Sequence, residues 1–225
     1  MQSQLTQLRL FQLISPTLPI GSFTYSQGME WAIENGWINN PIDLKHWVQS
    51  VLSNSLAYLE LPILIRLHRA SQSNDVDAFH YWSQLLLAHR ETSELRQEEL
   101  NRARALLAVL NKLSNWPELT EWKNALLCSQ ASGFALAANY WGIDERTTLN
   151  GYTWAWLENG VNAAVKLVPL GQTDGQTILY QLANEIPTAI DLALKLNDEE
   201  LGASTPALAI ASSMHEIQYC RLFRS

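Results

Sequence analysis

Apolar residues recur every three or four positions along nearly the whole chain and show no run of single alternation, so the pattern predicts helices and no sheet. Leu5, Leu8, Phe11 and Ile14 form a first stripe, which Ser15-Pro16 ends. After a compact turn over Pro16 to Gly21, residues Phe23 to Asn35 read as a second helix stopped by Gly36. The third start is the clearest: Asn40 as cap, Pro41 at the first helical position and Asp43 in the first turn. Leu44, Trp47, Val48, Val51 and Leu52 then share one face, and Leu61 to Ala70 continues the helical pattern.

Asn74-Asp75 opens another helix, with Phe79, Trp82, Leu85 and Leu86 inward. Glu94 to Leu113 carries the densest charge on one side and Leu95, Leu106, Leu107 and Leu110 on the other, the pattern of a solvated helix laced by i,i+4 pairs. Trp116-Pro117 predicts a break, followed by one long helix over Glu118 to Tyr140, whose alanines and serines permit close approach, and a further helix over Asn150 to Val168. Thr173 to Gln176 matches a capping box with Thr173 as cap, opening a helix to about Glu185, where Pro187 kinks or restarts it. Asp198-Glu199-Glu200 is an acidic break before a last helix from Thr205-Pro206, with Ile210, Met214 and Ile217 in register. The expected fold is all-α, an irregular single-domain bundle of roughly ten helices over residues 1–225.

Composition narrows the function classes. Hydrophobic residues make up 47% and charged ones only 16%, with nine Trp, so the chain carries enough apolar surface for a large aromatic core or for a face covered by another protein. The net charge of −7 argues against nucleic acid and against an anionic membrane surface. Cys128 and Cys220 stand far apart in no metal or redox spacing, which fits a reduced compartment, and with no signal-like N-terminus or long uncharged apolar run a cytoplasmic location is expected.

A search for chemistry returns little. His46, His68, His80, His89 and His215 lie at no three- or four-residue spacing, so each is expected to be a partly buried or surface residue, with a site shared by two copies at a dimer axis the one alternative, and Tyr219 rules out a zinc motif at His215-Glu216. Thr24 to Gly28 approaches a nucleophile elbow but lacks its first Gly and its strand. Gly171 to Thr177 is glycine-rich but lacks the lysine of a phosphate loop. Nothing assembles a base, a nucleophile and an orienting partner.

Four segments carry a resemblance. They are Ser15 to Trp31 (SPTLPIGSFTYSQGMEW), Arg90 to Arg96 (RETSELR), Leu167 to Gln176 (LVPLGQTDGQ) and His215 to Ser225 (HEIQYCRLFRS). In this order they resemble the urease accessory protein UreF family across the whole chain. The chain departs from the family pattern at Asn101-Arg102-Ala103, where Gln-Met-Gly is usual, and at Cys220, where Ser is usual.

The resemblance implies a non-catalytic, dimerising adaptor that bridges a UreD/UreH-like protein and the GTPase UreG while nickel is delivered to apo-urease, with nickel handled by the complex and no cofactor held tightly by this chain. An alternative is a regulator, activating or braking, of UreG GTP hydrolysis. Partner contact is expected from Pro19, Gly21, Phe23, Tyr25, Gln27 and Glu30 of the first segment. It is also expected from His215, Glu216, Tyr219, Arg221, Leu222, Phe223 and Arg224 within a tail, about 204–225, that orders on its partner. In that tail Leu222 and Phe223 are the expected anchors, and Arg221 and Arg224 pair carboxylates of the partner. Arg90, Arg96, Arg102 and Arg104 are the residues that could face the GTPase. Gln172, at the corner of the third segment, is a candidate for lining a metal passage.

Overall fold

Pro41 begins the element around which the others are arranged. In the computed structural model, which describes residues 4–113, 119–168 and 170–225, Asn40 caps this element by accepting from Ile42 N and Asp43 N at 2.9 and 3.1 Å. From there α3 (Pro41–Val51), a π-helical segment (Leu52–Glu60) and α4 (Leu61–Gln72) form one continuous rod. The rod is long and apolar enough to cross a membrane, yet 72% of its most apolar window is buried among other helices. Its apolarity is that of a core element: Leu61 to Ile65, Leu67, Ala70 and Ser71 are all inside.

Around α4 pack α5 (Val76–Ala88), α8 (Gln130–Tyr140) and α9 (Glu145–Leu167), with α6 (Ser93–Leu113) laid on α8 and α7 (Leu119–Leu126) on α5. The residues of α8 from Gln130 to Ala138 are buried on every side, which its Ala and Ser make possible without polar cost: Ser132 pairs with Ser83 of α5 at 2.6 Å. Outside this centre lie α1 (Gln4–Ile14) on α9, α10 (Gln172–Ala183) between α9 and α3, α11 (Ile186–Ala193) under the π segment, and α2 (Met29–Glu34) against α12 (Pro206–His215). No strand occurs among the described residues, so the all-α expectation holds. The tryptophans serve mainly this packing: Trp122 is buried against Phe79 at 4.7 Å between ring centres, and six others pack partly buried on the core.

Several boundaries differ from expectation. The helix predicted over Phe23 to Asn35 is only a short 3₁₀ turn, Ser22–Thr24, followed by α2, because Gln27 (φ 54°) and Gly28 (φ 79°) are left-handed and interrupt any helix. The single helix expected over Glu118 to Tyr140 is two, since Ser129 is extended and its hydroxyl caps α8 by accepting from Ala131 N at 3.0 Å. The next helix starts earlier than Asn150, at an Asp144 cap. Thr173 is not a cap but lies in the first turn of α10; Gly171 precedes the helix, with its N–H on Asp174. The break expected at Trp116-Pro117 and the position of Pro169 lie outside the described residues.

Candidate functional site

The first segment bends back on itself. Its turn after Ser15 leads through an extended Tyr25 to the left-handed pair Gln27-Gly28, which sets Glu30 in the first turn of α2. There the helix dipole favours a carboxylate, yet Glu30 is only 3% exposed. Its partners come from the far end of the chain: Leu222 N at 2.6 Å, Phe223 N at 2.9 Å and His215 Nε2 at 3.2 Å. His215 is fully enclosed, and its Nδ1 meets Glu94 Oε2 at 2.7 Å, while Glu94 Oε1 takes Arg221 at 2.6 Å. One imidazole thus joins the start of α2 to the start of α6. Neighbouring Glu216 accepts from Ser93 Oγ, Ser93 N and Glu94 N, capping α6 from outside that helix. The Ser93 hydroxyl and those amides hold its carboxyl below the usual range despite partial burial.

The closure continues along the backbone. Arg224 N donates to Thr24 O at 2.8 Å, and Ser26 N and Gln27 N both donate to Ser225 O, at 2.6 and 3.0 Å. Ser225 Oγ reaches Glu98 Oε2 at 2.9 Å, and Glu98 Oε1 also takes Gln27 Nε2 and Arg102. Thr92 and Ser212 complete the seam through their hydroxyls at 2.8 Å. Residues 22–30, 92–102 and 212–225 are therefore one clasp, built from three of the four segments that carry the resemblance.

Beneath it lies a second charged layer. Arg90 pairs with Glu60 and with Glu99, whose other oxygen accepts from Ser129 Oγ and Gln130 N at the start of α8. Burial alone would lift the Glu99 carboxyl, but the Arg90 and Arg102 guanidinium groups and the Arg90 and Gln130 hydrogen bonds hold it below its ordinary value. Burial, and then the Glu60 and Glu99 charges, push the Tyr152 phenol well up, so it stays neutral beside Glu60. Small cavities lined by Ser22, Gln27, Arg102, Trp156 and Asn159 separate the layers, the larger of about 40 Å³.

These placements correct several expectations. Glu98 and Glu99, assigned to a solvated salt-laced face, are 3% and 5% exposed. Arg90 and Arg102 are committed to that buried layer; of the four arginines only Arg96 and Arg104 face outward. His68 and His215, expected to be partly buried or at the surface, are fully buried, His68 with Nε2 on Ile143 O at 3.0 Å. Phe223 is not an outward anchor but 5% exposed inside the clasp, and Glu30 and Tyr25 are likewise buried. Residues 204–225 sit on their own bundle through these bonds. The surface positions among the expected contacts are Pro19, Phe23, Tyr219, Arg221, Leu222 and Arg224, with Gly21, Gln27 and Glu216 half-buried. Phe23 is 58% exposed, with Lys166 5.9 Å from its ring centre. Gln172, at the corner of the third segment, is exposed and not a buried corner group. At the departure positions, Asn101 meets the Tyr25 hydroxyl, Arg102 pairs with Glu98 and Ala103 is buried, while Cys220 is exposed. Among the described residues no group of three or more His, Cys, Asp or Glu is arranged to hold a metal ion.

Gly28 is where the clasp is tightest. A Cβ on it would stand 2.5 Å from Ser212 N and 2.8 Å from Ala211 C, and its φ of 79° already disfavours any side chain. Gly28→Ala should therefore force α2 and α12 apart and cost about 2 kcal/mol or more, a fall of roughly 5–10 °C in melting temperature for a chain of this size. A melting curve within 2 °C of the parent would show that the contact is looser than drawn.

Comparison with known proteins comes to one family. The UreF family model matches residues 38–183. The urease accessory protein UreF of Alcanivorax borkumensis is 56% identical over 96% of this chain and 97% of its own length. That of Pseudomonas entomophila is 50% identical over the full length of both, and that of Teredinibacter turnerae 43% identical over 97% of this chain and 98% of its own. The family model stops short of both arms of the clasp, residues 22–30 and 212–225, whereas the full-length relatives span them.

Proposed function

The chain belongs to the UreF family of urease accessory proteins, and on that footing we propose that it is a non-catalytic adaptor of urease maturation, cytoplasmic and dimeric, holding a UreD/UreH-like protein and a UreG-like GTPase while nickel passes to apo-urease. The observation that carries this reading is the division of the clasp into two sides. Inward, the carboxylates of Glu30, Glu94 and Glu98 and the His215 imidazole are taken up by hydrogen bonds within the fold. Outward, α12 and the arm that follows it present Ile210, Ile217, Tyr219 and Leu222, exposed by 50%, 75%, 105% and 67%. Apolar and aromatic side chains held on a rigid backbone bind at low ordering cost.

The test is co-expression of the tagged chain with the UreD/UreH-like and UreG-like proteins of the same source, sized with and without GTP. A complex of defined stoichiometry is expected. Replacing the exposed pair, Ile217→Asp with Leu222→Asp, should leave the melting temperature unchanged and lower retention of the UreD/UreH-like protein at least tenfold, about 1.4 kcal/mol. Undiminished retention would move the docking face elsewhere; a chain that runs alone under every nucleotide condition would end the adaptor reading.

A further inference from the structure

The rod Pro41–Gln72 passes through a proline without breaking. Pro62 has no N–H, and its ring crowds the carbonyl four residues back, which is Tyr58 O. Neither the π pattern, in which residue 62 would donate to Ala57 O, nor the α pattern, in which it would donate to Tyr58 O, can be completed there. The rod responds by widening over Leu52–Glu60, with Leu61 N donating to Leu56 O, five residues back. Extended π segments are rare and collect where a helix has a second task.

The second task is visible on the carbonyl that the proline leaves open. Tyr58 O accepts from Gly202 N at 3.0 Å. Gly202 has φ 108°, a conformation that glycine adopts readily and other residues do not, and a Cβ there would touch His89 Nε2 at 3.4 Å. One turn further along the rod, Arg66 grips the same loop, donating to Asp198 at 2.6 Å and to Leu196 O at 2.9 Å, while its other nitrogen returns to Pro62 O at 3.0 Å. The loop 196–202 is thus pinned twice to the rod, immediately before α12 and the clasp.

We propose that Pro62 is a positioning residue for the clasp: by withholding an N–H it reserves the Tyr58 carbonyl for Gly202, and this bond sets where α12 begins and so how His215 and residues 221–225 meet Glu30, Glu94 and Glu98. The π segment is then the cost of a hydrogen-bond acceptor delivered to a loop some 140 residues later in the sequence. The deep anchoring of the C-terminal arm lies in the centre of the rod, not only at the clasp itself.

The experiment is residue-resolved amide exchange on the full chain with Pro62→Ala. Alanine restores the N–H, which competes for Tyr58 O. The Gly202 amide should exchange about five- to tenfold faster, as expected for the net loss of one backbone hydrogen bond, with parallel acceleration over 203–205 and none in α8. The melting temperature should hold or rise, because proline is a poor residue inside a helix. Unchanged Gly202 exchange in a folded Pro62→Ala protein would overturn the proposal. A second variant approaches from the other side: Gly202→Ala should speed exchange over 203–205 and leave residues 52–61 as they were. Faster exchange in 52–61 would mean that the loop shapes the rod, the reverse of the proposal.

Discussion

Glu30→Ala should release residues 215–225 from the bundle and lower the melting temperature by roughly 10 °C. The single carboxylate at the start of α2 serves Leu222 N, Phe223 N and His215 together, and alanine leaves the two amides without their acceptor and the enclosed imidazole without one of its two carboxylate partners. Removing one member of a buried charged group costs about 3–5 kcal/mol, and a domain of 150–250 residues loses about 2–4 °C per kcal/mol. Limited trypsin digestion gives the second readout: cleavage at Arg221, which is held to Glu94 at 2.6 Å in the parent, should become rapid. Glu30→Gln, which retains one carbonyl acceptor, should fall between the two. A Glu30→Ala protein that melts within 2 °C of the parent and still protects Arg221 would mean that the backbone seam at 24–27 and 224–225 suffices without the carboxylate.

Arg90→Ala should be comparably damaging, and its effect should depend on pH. The guanidinium neutralises Glu60 and Glu99 inside the second layer, and the loss again is about 3–5 kcal/mol at neutral pH. Glu99 has a folded-state pKa below its unfolded value, so its contribution is present above the unfolded pKa of about 4.3 and fades as pH falls through the folded value. In Arg90→Ala, burial is no longer offset by that neighbour, and the carboxyl can relieve the mismatch by taking up a proton. The stability gap between parent and variant should therefore be largest near pH 7 and should narrow toward pH 4. Urea unfolding at both values measures it. A gap independent of pH would assign the loss to packing and not to charge.

How much of this was legible beforehand differs by layer. Helix starts with strong local chemistry, such as Asn40-Pro41, were readable because capping is a local interaction. The split between α7 and α8 was missed because Leu127-Cys128-Ser129 has the composition of a helix and breaks one only through the Ser129 cap. The segments of the site were found by resemblance, but their meeting was not, since hydrogen bonds spanning most of the chain leave no periodic trace. Glu98 and Arg102 illustrate the difficulty. An i,i+4 acid–base pair looks the same in sequence whether it faces water or, as here, the Ser225 hydroxyl. Glu60 left a faint signal, a lone carboxylate within the apolar run Tyr58 to Ile65.

The clasp also has a consequence in time. Glu30 and its donor Leu222 are 192 residues apart, so at the ~5–20 residues per second of ribosomal synthesis Glu30 waits roughly 10–40 s for that partner. Helices between them can form and pack during the interval. The closing step then pays a loop entropy that grows only slowly with length, but it cannot begin before the distant arm exists. A nascent or truncated chain halted before residue 215 would display Glu30 and Glu94 without their C-terminal partners, beside a Glu98 that keeps Gln27 and Arg102 but lacks the Ser225 hydroxyl. Quality control acting on such chains would need to read only this acidic face to distinguish an unfinished protein from a finished one.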